Sequence, residues 1–254
     1  MFLFKTVFKK DIIYLRRYYI NTIFSILLLI ILMGIAIYGY KYINPNSDNS
    51  LSLISGYIIW IFMSSIVSNI ATKITNEANL GTLEQLYINS KNFYATIIMQ
   101  SISVVVVNLC QMILFIIVAI LVQFIPFSIG INFLKSIPIL CIGLPSLWGV
   151  GLILASLSLR YKNINSISSA VITIFFAIIS YYSVANYNWS FILIPFATAS
   201  NYAYSVICST PHIGFNIVML VEIAINSFIY FTIGIIFFKI YEYFSKKNAT
   251  FGTH

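Results

Sequence analysis

Catalysis needs groups that can move a proton, hold a metal or attack a bond, and this chain carries few of them. Its aspartates are Asp11 and Asp48 and its histidines are His212 and His254. None lies in the middle of an apolar run, and their spacing fits neither the HExxH ligand pair of a zinc protease nor a multi-Asp lipid-transferase cluster. Cys110, Cys141 and Cys208 lie in or near apolar segments without metal or redox spacing, so packing is their expected role. Glu222 differs, because it sits inside the last apolar run with Asn226 one turn on. An intramembrane carboxylate marks an ion or proton path, or else it hydrogen-bonds another helix or water near the outer end of its run; the second reading is preferred. Asn108 and Gln111, in the third run, are expected to act as interhelical glue worth about 0.6 kcal/mol each. No G-x-x-x-x-G-K-[ST] phosphate loop occurs anywhere. The expectation is a chain that is not an enzyme, with no catalytic residue and no metal or cofactor of its own.

A second group of polar residues occupies Asn76 to Tyr94, NEANLGTLEQLYINSKNFY, between two long apolar runs. Thr82 followed three residues later by Gln85 is a capping box: the hydroxyl accepts from the Gln85 backbone N–H while the Gln85 amide reaches back to Thr82. Gly81 supplies a permissive backbone before the cap, and Glu84 places a negative charge in the first turn, where the helix dipole favours it. Leu83, Leu86 and Tyr87 share one face, with Leu80 just ahead of the cap, while Glu84, Gln85 and Asn89 point elsewhere. A two-faced helix this short is unstable alone in water, so it must pack on its own spans or dock on a partner.

The elements that position these residues follow from composition. Of 254 residues 60% are hydrophobic and 8% charged, and the mean hydropathy is +0.96, whereas a soluble domain has roughly 45–50% apolar and about 25% charged residues. Runs of apolar residues long enough to cross a hydrocarbon layer of about 30 Å recur, without the alternation of a transmembrane barrel. The fold class expected is an all-α membrane protein with six transmembrane helices, at about 19–40, 51–72, 96–123, 136–158, 167–187 and 213–238. The first run is longer than the 7–15 residues or so of a signal-peptide core and is expected to stay. Residues 1–254 are expected to form one transmembrane domain, with no linker or repeat dividing it.

Orientation follows from the basic residues. With the N-terminus cytoplasmic, Lys5, Lys9, Lys10, Arg16, Arg17, Lys73, Lys91, Arg160, Lys162, Lys239, Lys246 and Lys247 lie inside and only Lys41 and Lys135 outside, twelve against two. Both termini are then cytoplasmic. Residues 191–207 are apolar but interrupted by Pro195 and several polar side chains; counting them as a further span degrades the tally to nine against five. A re-entrant extracellular hairpin within 188–212 is therefore expected. Ahead of the first span, residues 1–18 place Phe4, Val7, Phe8, Ile12 and Leu15 on one arc and five cations on the other, the pattern of an interfacial helix, broken only by Asp11. The net charge of +8 is explained by topology and anionic lipid, so the bilayer is an expected partner and nucleic acid is not.

Glu77 followed by Gly81-Thr82-Leu83-Glu84-Gln85-Leu86, in a cytoplasmic loop at 73–95 between the second and third spans, resembles the coupling segment of the ABC-2 type permeases, the membrane subunits of bacterial ABC exporters. The layout is similar along nearly the whole chain, and Leu159-Arg160-Tyr161-Lys162-Asn163-Ile164 resembles a basic patch that these permeases carry after the fourth span. Two positions depart from the pattern: Asn89-Ser90 stands where Ser or Thr then Pro is usual, and Asn163 where Asp is frequent. The resemblance implies an exporter permease in a bacterial plasma membrane, working as a homo- or heterodimer on a separate ABC ATPase that carries ATP and Mg. The coupling residues it implies are Glu77, Gly81, Thr82, Leu83, Glu84, Gln85, Leu86 and Tyr87. The rival expectation is an ion-coupled secondary transporter built on Glu222. Neither implies a particular substrate.

Overall fold

In hydrocarbon a backbone N–H or C=O has no water to bond, so an apolar chain closes its polar groups into helices. The computed structural model does so throughout: among the described residues, which are 9, 13, 16–43, 50–79, 93–122, 125–158, 165–184, 189–208 and 216–247, every long element is an α-helix and none is a strand. The helices are α1 (Tyr19–Ile43), α2 (Ser50–Asn79), α3 (Phe93–Leu121), α4 (Phe127–Ser158), α5 (Asn165–Val184), α6 (Ala197–Cys208) and α7 (Ile217–Lys247), with a 3₁₀ turn at Trp189–Leu193. Stretches on five of them, α1, α2, α3, α4 and α7, are long and apolar enough to cross a membrane. The chain is a multi-pass, all-α membrane protein. On α5 the described apolar stretch, Ser168–Ile179, is shorter.

Helix boundaries differ from expectation where a polar residue joins a helix instead of ending it. Helix α2 continues through Lys73 and Glu77 to Asn79, and α4 starts nine residues ahead of the expected span, so that Lys135 is helical. Both extensions suit helices that leave the apolar layer and run on as helix, with Lys and Glu supporting the backbone as well as apolar residues do. The expected loop at 73–95 accordingly narrows to 80–92. That segment, with Gly81 to Tyr87, lies outside the described residues, as do most of 1–18 and all of 159–164.

Helix α4 is the centre of the bundle. Its span is 61% buried, against 22% for those of α1 and α7, and it packs along α7, α2 and α6. Three glycines allow this. A Cβ on Gly143 would meet the Phe196 ring and Ala199 at 2.6–3.0 Å, and one on Gly151 would press on Ile70 of α2 at 3.0 Å. Gly149 faces the Tyr230 carbonyl of α7, and a Cβ on Gly234 would come 2.5 Å from the Cα of Gly149. At that crossing the α4 and α7 backbones touch with no side chain between them, the close approach that small residues permit in membrane bundles. The small-residue spacing of Gly151 and Ala155 thus does serve packing, with Ala155 fully buried. The deeper contact lies two residues earlier.

Large side chains on the outer faces of α1 and α7, among them Phe24, Leu28, Ile31, Phe228 and Ile236, are exposed. For a chain surrounded by lipid tails this is no penalty. Cys110 and Cys208 belong to the same exposed surface and only Cys141 is half-buried, so the expected packing role fits that one cysteine alone.

Candidate functional site

Between α5 and α7 the chain makes a 3₁₀ turn, a tight bend over Ile194 to Phe196, and the 12-residue α6. At about 1.5 Å per residue α6 reaches roughly 18 Å, too short to cross a layer of about 30 Å. It is nevertheless deeply inserted, with Ala197, Ala199, Ser200, Tyr202 and Ala203 all buried. A bend buried in protein must have its backbone polar groups satisfied, and Asn226 of α7 does this. Its Nδ2 donates to the carbonyls of Ile192 (2.8 Å) and Ile194 (3.3 Å), and its Oδ1 accepts from the Phe196 N–H at 3.4 Å. Tyr230, one turn on, donates to the Leu193 carbonyl.

Phe196 adopts φ 67°, a left-handed conformation that costs a residue with a Cβ roughly 1–2 kcal/mol. Its ring is completely buried beside Gly143, and that burial offsets the cost. At the other end of α6, Asn132 of α4 donates to the Ile207 carbonyl at 3.4 Å, and the Tyr202 hydroxyl accepts from the Asn216 N–H at 2.6 Å. Asn216 then caps α7, its Oδ1 accepting from the Val218 N–H at 3.1 Å. The broken segment is therefore held at both ends by side chains of α4 and α7.

Of the polar residues singled out in the sequence, Asn226 is thus a structural clamp. Glu222 stands one turn earlier, six residues into α7, half-buried and engaged with neighbouring groups. Asn108 and Gln111 come together elsewhere, on a partly open cavity of roughly 110 Å³ between α1, α2 and α3. Its apolar wall includes Leu29, Phe62, Met112 and Phe115, and its polar wall is Ser25, Ser65, Asn108 and Gln111. Tyr57 braces two of the lining residues from behind, its hydroxyl donating to the Leu29 carbonyl at 3.0 Å and its ring 6.4 Å from that of Phe115. The expected glue role does not describe Asn108: the side chain is 8% exposed and its Nδ2 meets no acceptor.

Glu242, which sequence reasoning missed, is buried near the end of α7, one turn beyond Lys239, and both take part in interactions. The available signal was that i, i+3 pair of opposite charges on one helix face. Among the described residues no three His, Cys, Asp or Glu side chains gather, so the candidate site is a cavity and a clamped broken helix. No protein-family model matches the chain, and no curated protein matches it either.

Proposed function

We propose that this chain is the permease subunit of an ATP-driven exporter of the ABC-2 type. In this reading α5 also crosses, as the fifth of six spans, and both termini face the cytoplasm of a bacterial cell. The broken segment at Trp189–Cys208 re-enters from the outer side, and two permease copies or paralogues stand on a separate ATPase pair. ATP and Mg belong to that partner. The observation that carries the reading is the short α6, buried against α4 and α7 immediately before the last long helix, where the sequence layout of these permeases has a polar-interrupted hairpin. The capping box and apolar face at Thr82 to Tyr87 supply the contact through which ATP-driven closure would act on α2 and α3, and Glu77 on α2 leads into it.

The test is docking. Burying a Leu side chain is worth roughly 1.5–3 kcal/mol, so Leu83→Ala with Leu86→Ala should weaken co-purification of the ATPase by about 100-fold or more in affinity. The membrane bundle should keep its thermal stability, because no described helix is altered. Undiminished pull-down and coupled ATP hydrolysis in the double variant would remove the reading.

The ion-coupled alternative is the less favoured, because Glu222 lies near one end of α7 and the neighbouring Asn226 is committed to the bend. Glu222→Gln keeps the hydrogen-bonding capacity and should leave ATP hydrolysis by the assembled complex within about twofold of wild type, a single exchange away from critical contacts having small effects. Loss of activity with normal assembly would transfer support to an ion path.

A further inference from the structure

The cavity between α1, α2 and α3 contains a hydrogen-bond donor for which the protein provides no acceptor. Asn108 is more than nine-tenths buried and its Nδ2 is unpartnered. The polar groups beside it do not reach it: Ser65 Oγ donates to the Phe62 carbonyl at 2.8 Å and Ser25 Oγ to the Thr22 carbonyl at 2.8 Å, and neither hydroxyl oxygen nor the Gln111 amide oxygen accepts from Nδ2. A buried amide donor without an acceptor is costly, and buried polar groups are otherwise paired in the great majority of cases. We propose that this cavity is a binding site for a small, uncharged, mostly apolar molecule with one hydrogen-bond acceptor, such as a ketone, whose oxygen accepts from Asn108 Nδ2.

Three observations define the ligand. The volume, roughly 110 Å³, is somewhat below that of an engineered cavity of about 150 Å³ that takes benzene, so the body is a single small ring or a short chain. No ionisable side chain lines the site, so a charged ligand would lose its hydration without return. Depth disfavours a bilayer lipid's ester group: Gln111 is at least ten residues from either end of α3, at least about 15 Å along the helix. Acyl tails that reach this depth carry no acceptor. The site does not depend on any ATPase partner, so its failure and that of the exporter reading are separable.

The experiment uses the whole chain in phosphatidylcholine nanodiscs with fluoroacetone, smaller than benzene, as probe, followed by ¹⁹F NMR. Its reference is 3-fluoro-2-methylpropene, in which a CH₂ group replaces the carbonyl oxygen. The expected result is a saturable bound resonance for the ketone, missing from empty nanodiscs, with the olefin bound about tenfold more weakly, as loss of one buried hydrogen bond predicts. Asn108→Leu, checked for an unchanged elution profile, should abolish the preference. A ketone signal identical to that in empty nanodiscs, meaning partition into lipid alone, overturns the proposal. Equal affinity of the two probes for the wild-type chain, a comparison that needs no variant, overturns it as well.

Discussion

Gly149→Val should prevent recovery of a monodisperse protein, or leave one destabilised by about 3 kcal/mol or more, the upper range for overpacking a core. The obstacle is backbone. The new Cβ would point at the Tyr230 carbonyl and the neighbouring Phe231 amide of α7, and neither can rotate away as a side chain could. Carbon atoms pack best at roughly 3.5–4.0 Å, and a Cβ on Gly149 would lie only 2.5 Å from the Tyr230 carbonyl carbon. Relief therefore needs a separation of the two helices by about 1 Å along a seam that also includes the bond from Ser227 Oγ to the Ile142 carbonyl (2.9 Å). Gly39→Val is the matched control, since a Cβ there meets nothing within 4 Å. Thermal unfolding in detergent with size-exclusion profiles distinguishes the two; similar behaviour of both variants would show that the crossing is not as tight as described.

Asn226→Leu should be the next most damaging change. It preserves volume but takes the side-chain partner from the Ile192 carbonyl and the Phe196 N–H, while the Ile194 carbonyl keeps its bond from the Ala197 N–H at 3.3 Å. At about 1–3 kcal/mol for each buried group left unsatisfied, a loss of about 3 kcal/mol in stability is expected. The bend should also open locally, which cysteine labelling of an introduced Thr198→Cys, at a buried position beside the bend, reads directly: faster modification in the Asn226→Leu background than in the wild-type background. Asn226→Asp should be nearly as harmful, since a carboxylate cannot donate to the two carbonyls. Unaltered melting and labelling would show that the bend holds itself.

The helical, multi-pass character was legible in the sequence because the hydrocarbon layer imposes a length and a polarity that show without any knowledge of tertiary contacts. The interruption at Pro195 was legible for the same reason, since a stretch with that many polar side chains is a poor span. Asn226 was visible as a polar residue in an apolar run, but its role was not: an amide in a membrane helix can line a path or clamp a neighbour, and only the position of Ile192 to Phe196 decides. Gly149 was hidden by its surroundings. Gly149 and Gly151 are about 200° apart around α4 and touch different helices, so a search along one face finds one of them. Asn108 and Gln111 illustrate the reverse case. Both were visible as polar residues in an apolar run, but a cavity depends on what three helices omit, and omission leaves no pattern in any one of them.

The α4–α7 seam also has a mechanical consequence. Where two backbones touch through glycines there is no compliant layer of side chains, and α4, α6 and α7 form something near to a single rigid casting. Among the described residues helix α1 packs mainly on α2 and α3, while α3 joins the casting mainly through α2. The chain from 80 to 92 connects α2 directly to α3, so a pull on it falls across a joint that lies outside the casting. That joint is where the cavity lies, and strain delivered from the loop would be absorbed there as a change in the volume around Asn108, while the casting behind it keeps its shape.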